Sequence, residues 1–213
     1  MLCLVPAVGW AQSDHTNVES GHPLGFDDAY SIGYGARSFG FSRSFGPEND
    51  FHVGATYGFA KNQDFTIGYD TNGQELEVSY FRGLRREIED HSGLAYRVSA
   101  QVPRNGSAYL TVRGIATKHL GQYGKLHLNV DLLLASEGGI GITLGYSSPI
   151  GIPRHFDTQF VAEVNGSVTA NQRSTARFGV GLRHQVNPVT VADIGIQVNA
   201  EETRLKFGMS VAF

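Results

Sequence analysis

From Arg37 onward the chain alternates apolar and polar residues in run after run. A period of two marks a strand whose two faces meet different surroundings. Phe51, Val53, Ala55, Tyr57 and Phe59 alternate with His52, Gly54, Thr56 and Gly58. Leu126, Leu128, Val130 and Leu132 alternate with His127, Asn129 and Asp131. The last run sets Leu205, Phe207, Met209, Val211 and Phe213 against Lys206, Gly208, Ser210 and Ala212. Comparable runs cover 65–69, 76–80, 94–100, 110–114, 140–146, 156–164, 178–182 and 194–198, and a weaker one holds Phe39 and Phe41, which makes twelve. No window carries apolar residues at helical spacing for three turns, so the helical alternative is weak. Turn-forming residues punctuate the runs: 46–50, Thr71-Asn72-Gly73, Arg104-Asn105-Gly106, Glu137-Gly138-Gly139, Asn165-Gly166 and Asn187-Pro188. Connections this short make hairpins, so neighbouring strands are expected to be antiparallel.

Such a sheet has two homes. In a soluble sandwich the apolar face is the core, whereas in a transmembrane barrel it meets lipid and the polar face lines a lumen. The runs approach the ~9–11 residues of a tilted membrane strand, and their number is even. Tyr and Phe gather near their ends, where an interfacial girdle would lie. The polar face mixes Gly, Ser and Thr with charges of both signs, which suits a confined lumen. Closure also removes open strand edges, which would leave backbone groups unpaired in lipid. The expected fold is therefore all-β, an antiparallel transmembrane barrel of about twelve strands, with ten or fourteen as the neighbouring counts. Composition agrees. Hydrophobic residues are 41% and charged ones 17%, too apolar for a disordered chain. A single Cys excludes a disulfide framework and a multi-Cys zinc site. A net charge of −3 gives no basic surface for nucleic acid.

Residues 1–11 form an uncharged apolar run with Gly9 and Ala11 at a signal-peptidase spacing, followed by a polar stretch over 12–21. This reads as the rear of a secretory signal, which Pro6 favours over a buried first strand. The expected division is signal remnant 1–11, periplasmic or plug segment 12–35, and barrel 36–213. Two resemblances follow. The alternation ending in Phe207, Met209, Val211 and terminal Phe213 resembles the assembly signal of bacterial outer-membrane proteins, which implies the barrel-assembly machinery and outer-membrane lipid as partners. The stretch over 22–35, with Pro23, Leu24, Asp27, Asp28 and Ala29, resembles the Pro-Leu-x-Thr-Asp-Asp-Ala opening of outer-membrane transporters linked to the meta-cleavage pathway of phenol degradation. Phe26 stands where that pattern has Thr. The resemblance implies uptake of small, aromatic or hydrophobic solutes at the cell outer membrane.

The polar face carries Glu77, Arg97, Arg113, Asp131, Asp157, Glu163, Arg177, Arg183, Asp193 and Lys206, five acidic and five basic, together with His127. Opposed charges in a lumen select solutes by charge and dipole. The same charges could instead be ion pairs filling a barrel between the closed eight-stranded and the open sixteen-stranded size. His127, Asn129 and Asp131 share a face with His52 and Ser79, the residue types of a Ser-His hydrolase. No Gly-x-Ser-x-Gly elbow accompanies them, and residues two apart on a strand stand side by side rather than in relay. A small-solute pore is expected. A lipid-modifying enzyme and a structural or adhesion barrel are the other readings on the same fold. The eight His lie at no metal-ligand spacing, and no cofactor is expected.

Overall fold

The computed structural model describes residues 24–47, 49–88, 91–121, 124–135, 137–150, 158–170 and 174–213. The signal remnant, Pro23 and Asp157 lie outside them. The twelve strands are β1 (Arg37–Phe45), β2 (Asp50–Ala60), β3 (Gln63–Asp70), β4 (Glu75–Arg85), β5 (Gly93–Pro103) and β6 (Tyr109–His119), then β7 (Lys125–Leu134), β8 (Gly139–Ile150), β9 (Thr158–Thr169), β10 (Thr175–Asn187), β11 (Thr190–Asn199) and β12 (Thr203–Ala212). Each pairs antiparallel with its neighbours in sequence, and β1 pairs with β12 to close the barrel. At this seam the Phe213 amide donates to the Arg37 carbonyl at 2.9 Å, and the Arg37 amide returns a bond of 3.2 Å.

Burial along the strands fixes which face is outside. On β7, Leu128, Val130 and Leu132 are 41%, 42% and 45% exposed, while the alternate residues His127 and Asn129 are fully buried. Polar side chains sit inside and large apolar ones outside, the reverse of a water-soluble barrel. A closed sheet with this outer face belongs in a bilayer, where every backbone group is paired within the sheet. The protein is a transmembrane β-barrel.

At the end where β1 begins and β12 finishes, here the terminal end, the hairpin joining β2 to β3 is tight and Asn62 adopts a φ of 58°, which Asn tolerates better than most residues. One expected turn is not a turn. Asn165 and Gly166 lie inside β9, paired with Thr143 and Ile142 of β8 and with Arg177 and Ala176 of β10. Asn165 points inward and its Nδ2 donates to Thr143 Oγ1 at 2.5 Å, so the lumen supplies the polar partner that an Asn would otherwise find in a turn. The break in pairing comes after Thr169 instead.

The inner face is not uniformly polar. Phe81, Ala95 and Ile115 point inward from β4, β5 and β6 and pack with Ala29, and Val161 of β9 packs with Leu24 and Phe26. The buried apolar core thus lies inside the barrel, between its wall and the segment that precedes β1.

Candidate functional site

That segment, residues 24–36 and called the strap below, lies against the inner wall and meets nine consecutive strands, from β10 round to β2. A Cβ on Gly179 of β10 would stand 2.7 Å from Leu24 Cδ2, and one on Gly145 of β8 would stand 2.5 Å from the Phe26 ring. Phe26 stacks on His127 of β7 with ring centroids 4.8 Å apart. Ala29 touches β4 to β6, and Gly33 approaches Gly58 of β2 so closely that a Cβ there would stand 1.8 Å from the Gly33 carbonyl oxygen. Three inward glycines therefore form the seat, because side chains there would occupy the space the strap takes.

The strap is extended, so alternate backbone N–H groups face the same way, and the wall provides an acceptor for each. Gly25 N donates to Glu163 Oε2 at 2.7 Å, Asp27 N to Asn129 Oδ1 at 2.6 Å and Ala29 N to Thr117 Oγ1 at 3.0 Å. Asn129 Nδ2 donates back to the Asp27 carbonyl at 2.9 Å. Beyond a turn in which Tyr30 N donates to Asp28 Oδ1, Ile32 N donates to Asp64 Oδ2 at 3.1 Å and Gly35 N to the Gly58 carbonyl at 2.6 Å. Buried N–H groups need such partners, and those given to carboxylates are the stronger kind.

The charged centre of the contact is Asp27. Its Oδ2 accepts from Arg97 Nη1 at 3.1 Å and from Arg113 Nη1 at 2.5 Å. Arg113 is gripped separately from the wall, with Nε donating to Asp131 Oδ1 at 2.6 Å and Nη2 to Asp131 Oδ2 at 3.0 Å. The strap separates two spaces. On its far side lies a cavity of about 250 Å³ bordered by Leu24, Phe26, Glu77, Arg97 and Arg113. On its terminal side lies one of about 730 Å³ bordered by Tyr30, Asn62, Arg85 and His119.

A latch holds the strap at the terminal end. The Tyr30 hydroxyl donates to Glu87 Oε2 at 2.5 Å, the His119 amide donates to Glu87 Oε1, and Lys125 Nζ stands 5.2 Å from the Tyr30 ring centre. Glu87 lies in the loop between β4 and β5. Burial opposes its charge, but the bonds from the His119 amide, the Tyr30 hydroxyl and the His119 ring outweigh burial and hold its carboxyl below the usual range. A depressed carboxylate stabilises above its unfolded pKa and loses that contribution as pH falls through the lowered value. Acidification below about pH 4 should therefore weaken the latch. Limited proteolysis within the strap should rise there, and Glu87→Gln should give the raised susceptibility already at neutral pH. Equal cleavage of both chains at all pH values would remove the latch.

The residues expected to line the lumen fall into separate groups. Arg97, Arg113, Asp131 and Glu77 gather round Asp27, and His127 and Glu163 lie beneath the strap. Arg183 and Asp193 form their own buried pair at 2.8 Å. Arg177 is exposed at the start of β10, and Lys206 is half-buried on β12. His127 meets Ser147 at 3.1 Å through Nε2 and Thr117 at 3.2 Å through Nδ1, with Phe26 over its face, so its hydroxyl partners are these and not Ser79. Asp64, Thr117 and the seat glycines are contact residues that alternation alone did not single out. Asp64 could have been found, since it continues the inward series of Thr66 and Gly68.

No protein-family model and no curated protein matches the sequence. Solved structures do match, at low identity. A porin, KdgM, in complex with disordered oligogalacturonate superimposes with a TM-score of 0.68 at 9% identity, over 83% of this chain and 99% of that one. An outer membrane channel from Pseudomonas putida F1 gives a TM-score of 0.68 at 12% identity, over 89% and 100%. The NanC porin gives 0.67 at 8%, over 81% and 98%. At these identities the likeness is one of fold.

Proposed function

We propose that this chain is a narrow outer-membrane pore for small solutes, closed at rest by its own strap, with residues 12–35 as the plug and 36–213 as the barrel. The observation that carries this reading is the strap itself, seated across nine strands between two cavities. A barrel built only as a solid anchor has no need of a separate segment laid along its inner wall between two cavities. The porin and channel folds of the structural neighbours support the pore, and the likeness of 22–35 to the openings of phenol-pathway transporters favours small aromatic or hydrophobic cargo. The enzyme reading is the weaker one, because His127 and Ser79 are both buried, with Phe26 stacked on the His127 ring, and present no open site to a lipid ester. The outward alternation of Phe207, Met209, Val211 and Phe213 is read as the signal for the assembly machinery.

Planar-bilayer recording tests the pore. Refolded full-length chain should show rare, brief openings, and a chain lacking residues 1–33 should show steady conductance. Heat-modifiable migration on gels confirms that both barrels are folded. If the folded, shortened barrel passes no current, the pore is rejected.

A further inference from the structure

We propose that Asp27 is a tethered stand-in for the carboxylate of the solute, and that the cavity beside it takes small monocarboxylates by exchange at Arg97 and Arg113. The proposal rests on the pore reading above. Its geometrical basis is where the parts of the Asp27 site come from. Arg113 is oriented by Asp131 through two bonds from one strand to the next, and this grip does not involve the strap. Arg97 lies with its guanidinium 5.9 Å from the ring centre of Phe81, also on the wall. Both cations thus belong to the wall and converge their Nη1 donors on one oxygen, while the acceptor belongs to the strap. Paired guanidinium donors on one carboxylate oxygen are a recognition geometry for carboxylates in general.

Charge counting selects exchange over simple addition. With Asp27 in place, the two arginines face three carboxylates among the described residues: Asp27, Asp131 and Glu77. A further anion entering the cavity meets a site already negative by one, whereas an anion that replaces Asp27 leaves the balance unchanged. Exchange therefore requires the middle of the strap to lift from Asn129 and carry Asp27 with it, because a side chain of one methylene cannot clear the two arginines while its amide and carbonyl stay bound. The cavity is about 250 Å³, below the ~300–1,000 Å³ typical of drug-sized ligands. Leu24 and Phe26 border it, so a compact acid with an apolar body fits the lining.

Isothermal titration of the folded protein in detergent with benzoate, and with the uncharged benzamide, tests the exchange. Removing the competing carboxylate by Asp27→Asn should tighten benzoate binding about ten- to a hundredfold, the size expected when a hydrogen bond to a charged group no longer competes. Adding Arg97→Gln to that variant should abolish the gain, and benzamide should bind neither chain measurably. Benzoate affinity unchanged by Asp27→Asn, benzamide binding as well as benzoate, or no benzoate binding to either chain overturns the proposal. The pore reading fails on a different measurement: a shortened barrel that passes no current rejects the pore, whatever the titration shows. A conducting barrel with no carboxylate exchange leaves the pore intact and removes only the stand-in.

Discussion

A chain carrying Gly58→Ala and Gly145→Ala is expected to conduct steadily in planar bilayers where the unaltered chain is mostly closed. Each change adds one methyl group, too little to obstruct the lumen. At 58 that methyl would lie 1.8 Å from the backbone oxygen of Gly33, and at 145 it would lie 2.5 Å from the Phe26 ring. The first obstacle is backbone and cannot swing aside, so the strap must lift from β2, and the second pushes it from β8. Overpacking costs about 1–3 kcal/mol per site. Together the two changes should shift the seated-to-released balance by about 2–6 kcal/mol, or from about 30-fold to over ten-thousandfold. Neither glycine adopts a positive φ, so Ala suits the strand itself. In a chain already lacking residues 1–33, the same substitutions should therefore be neutral or raise stability by about 0.4–1 kcal/mol. That sign reversal, read from urea unfolding of both backgrounds, separates a strap effect from damage to the barrel. Conductance no higher than that of the unaltered chain, with the barrel folded, would show that the strap does not close the pore.

The twelve strands were legible because alternation is local: each inward or outward position is set by the residue two before it. Phe51, Val53 and Ala55 announce their face without reference to any other strand. The strap was not legible in the same way. Residues 24–36 carry no period, and their hydrogen-bond partners on the wall are 22 to 138 positions away, as Ala36 with Gly58 and Gly25 with Glu163 show. A trace of it was nonetheless present in the barrel sequence. Phe81 and Val161 are large apolar residues at positions where alternation demands polar ones, and Gly145 and Gly179 leave the inner face bare at matching heights. An inward apolar residue beside an inward glycine means that something lies against the wall there. Charge was misleading for the opposite reason. Counting five acids against five bases treats the lumen as one field, whereas the wall divides Arg97, Arg113 and Asp131 from Arg183 and Asp193, and the acceptor that completes the first group, Asp27, comes from outside the barrel.

Asp193→Ala is expected to be among the most destabilising single changes in the barrel wall. Arg183 and Asp193 are cross-strand partners on β10 and β11, with Nε donating to Oδ1 at 2.8 Å, and their side chains are 2% and 0% exposed. Removing one member of such a pair takes the counter-charge from a group held away from water, which typically costs about 3–5 kcal/mol. Replacing both by apolar groups of similar volume avoids that penalty, so Arg183→Met with Asp193→Leu should lie much closer to the unaltered chain than either single change. The urea midpoint of the refolded barrel in lipid vesicles reads Asp193→Ala and the four chains of the cycle (unaltered, Arg183→Met, Asp193→Leu and both), and the cycle isolates the coupling between the two residues. A pair open to lumen water would behave otherwise. Water would then solvate the remaining Arg183, and the loss would fall to the ~0–1 kcal/mol of an exposed salt bridge. A small loss on Asp193→Ala would thus place bulk water at the β10–β11 wall, whereas a large one shows that the pair is held dry within that wall.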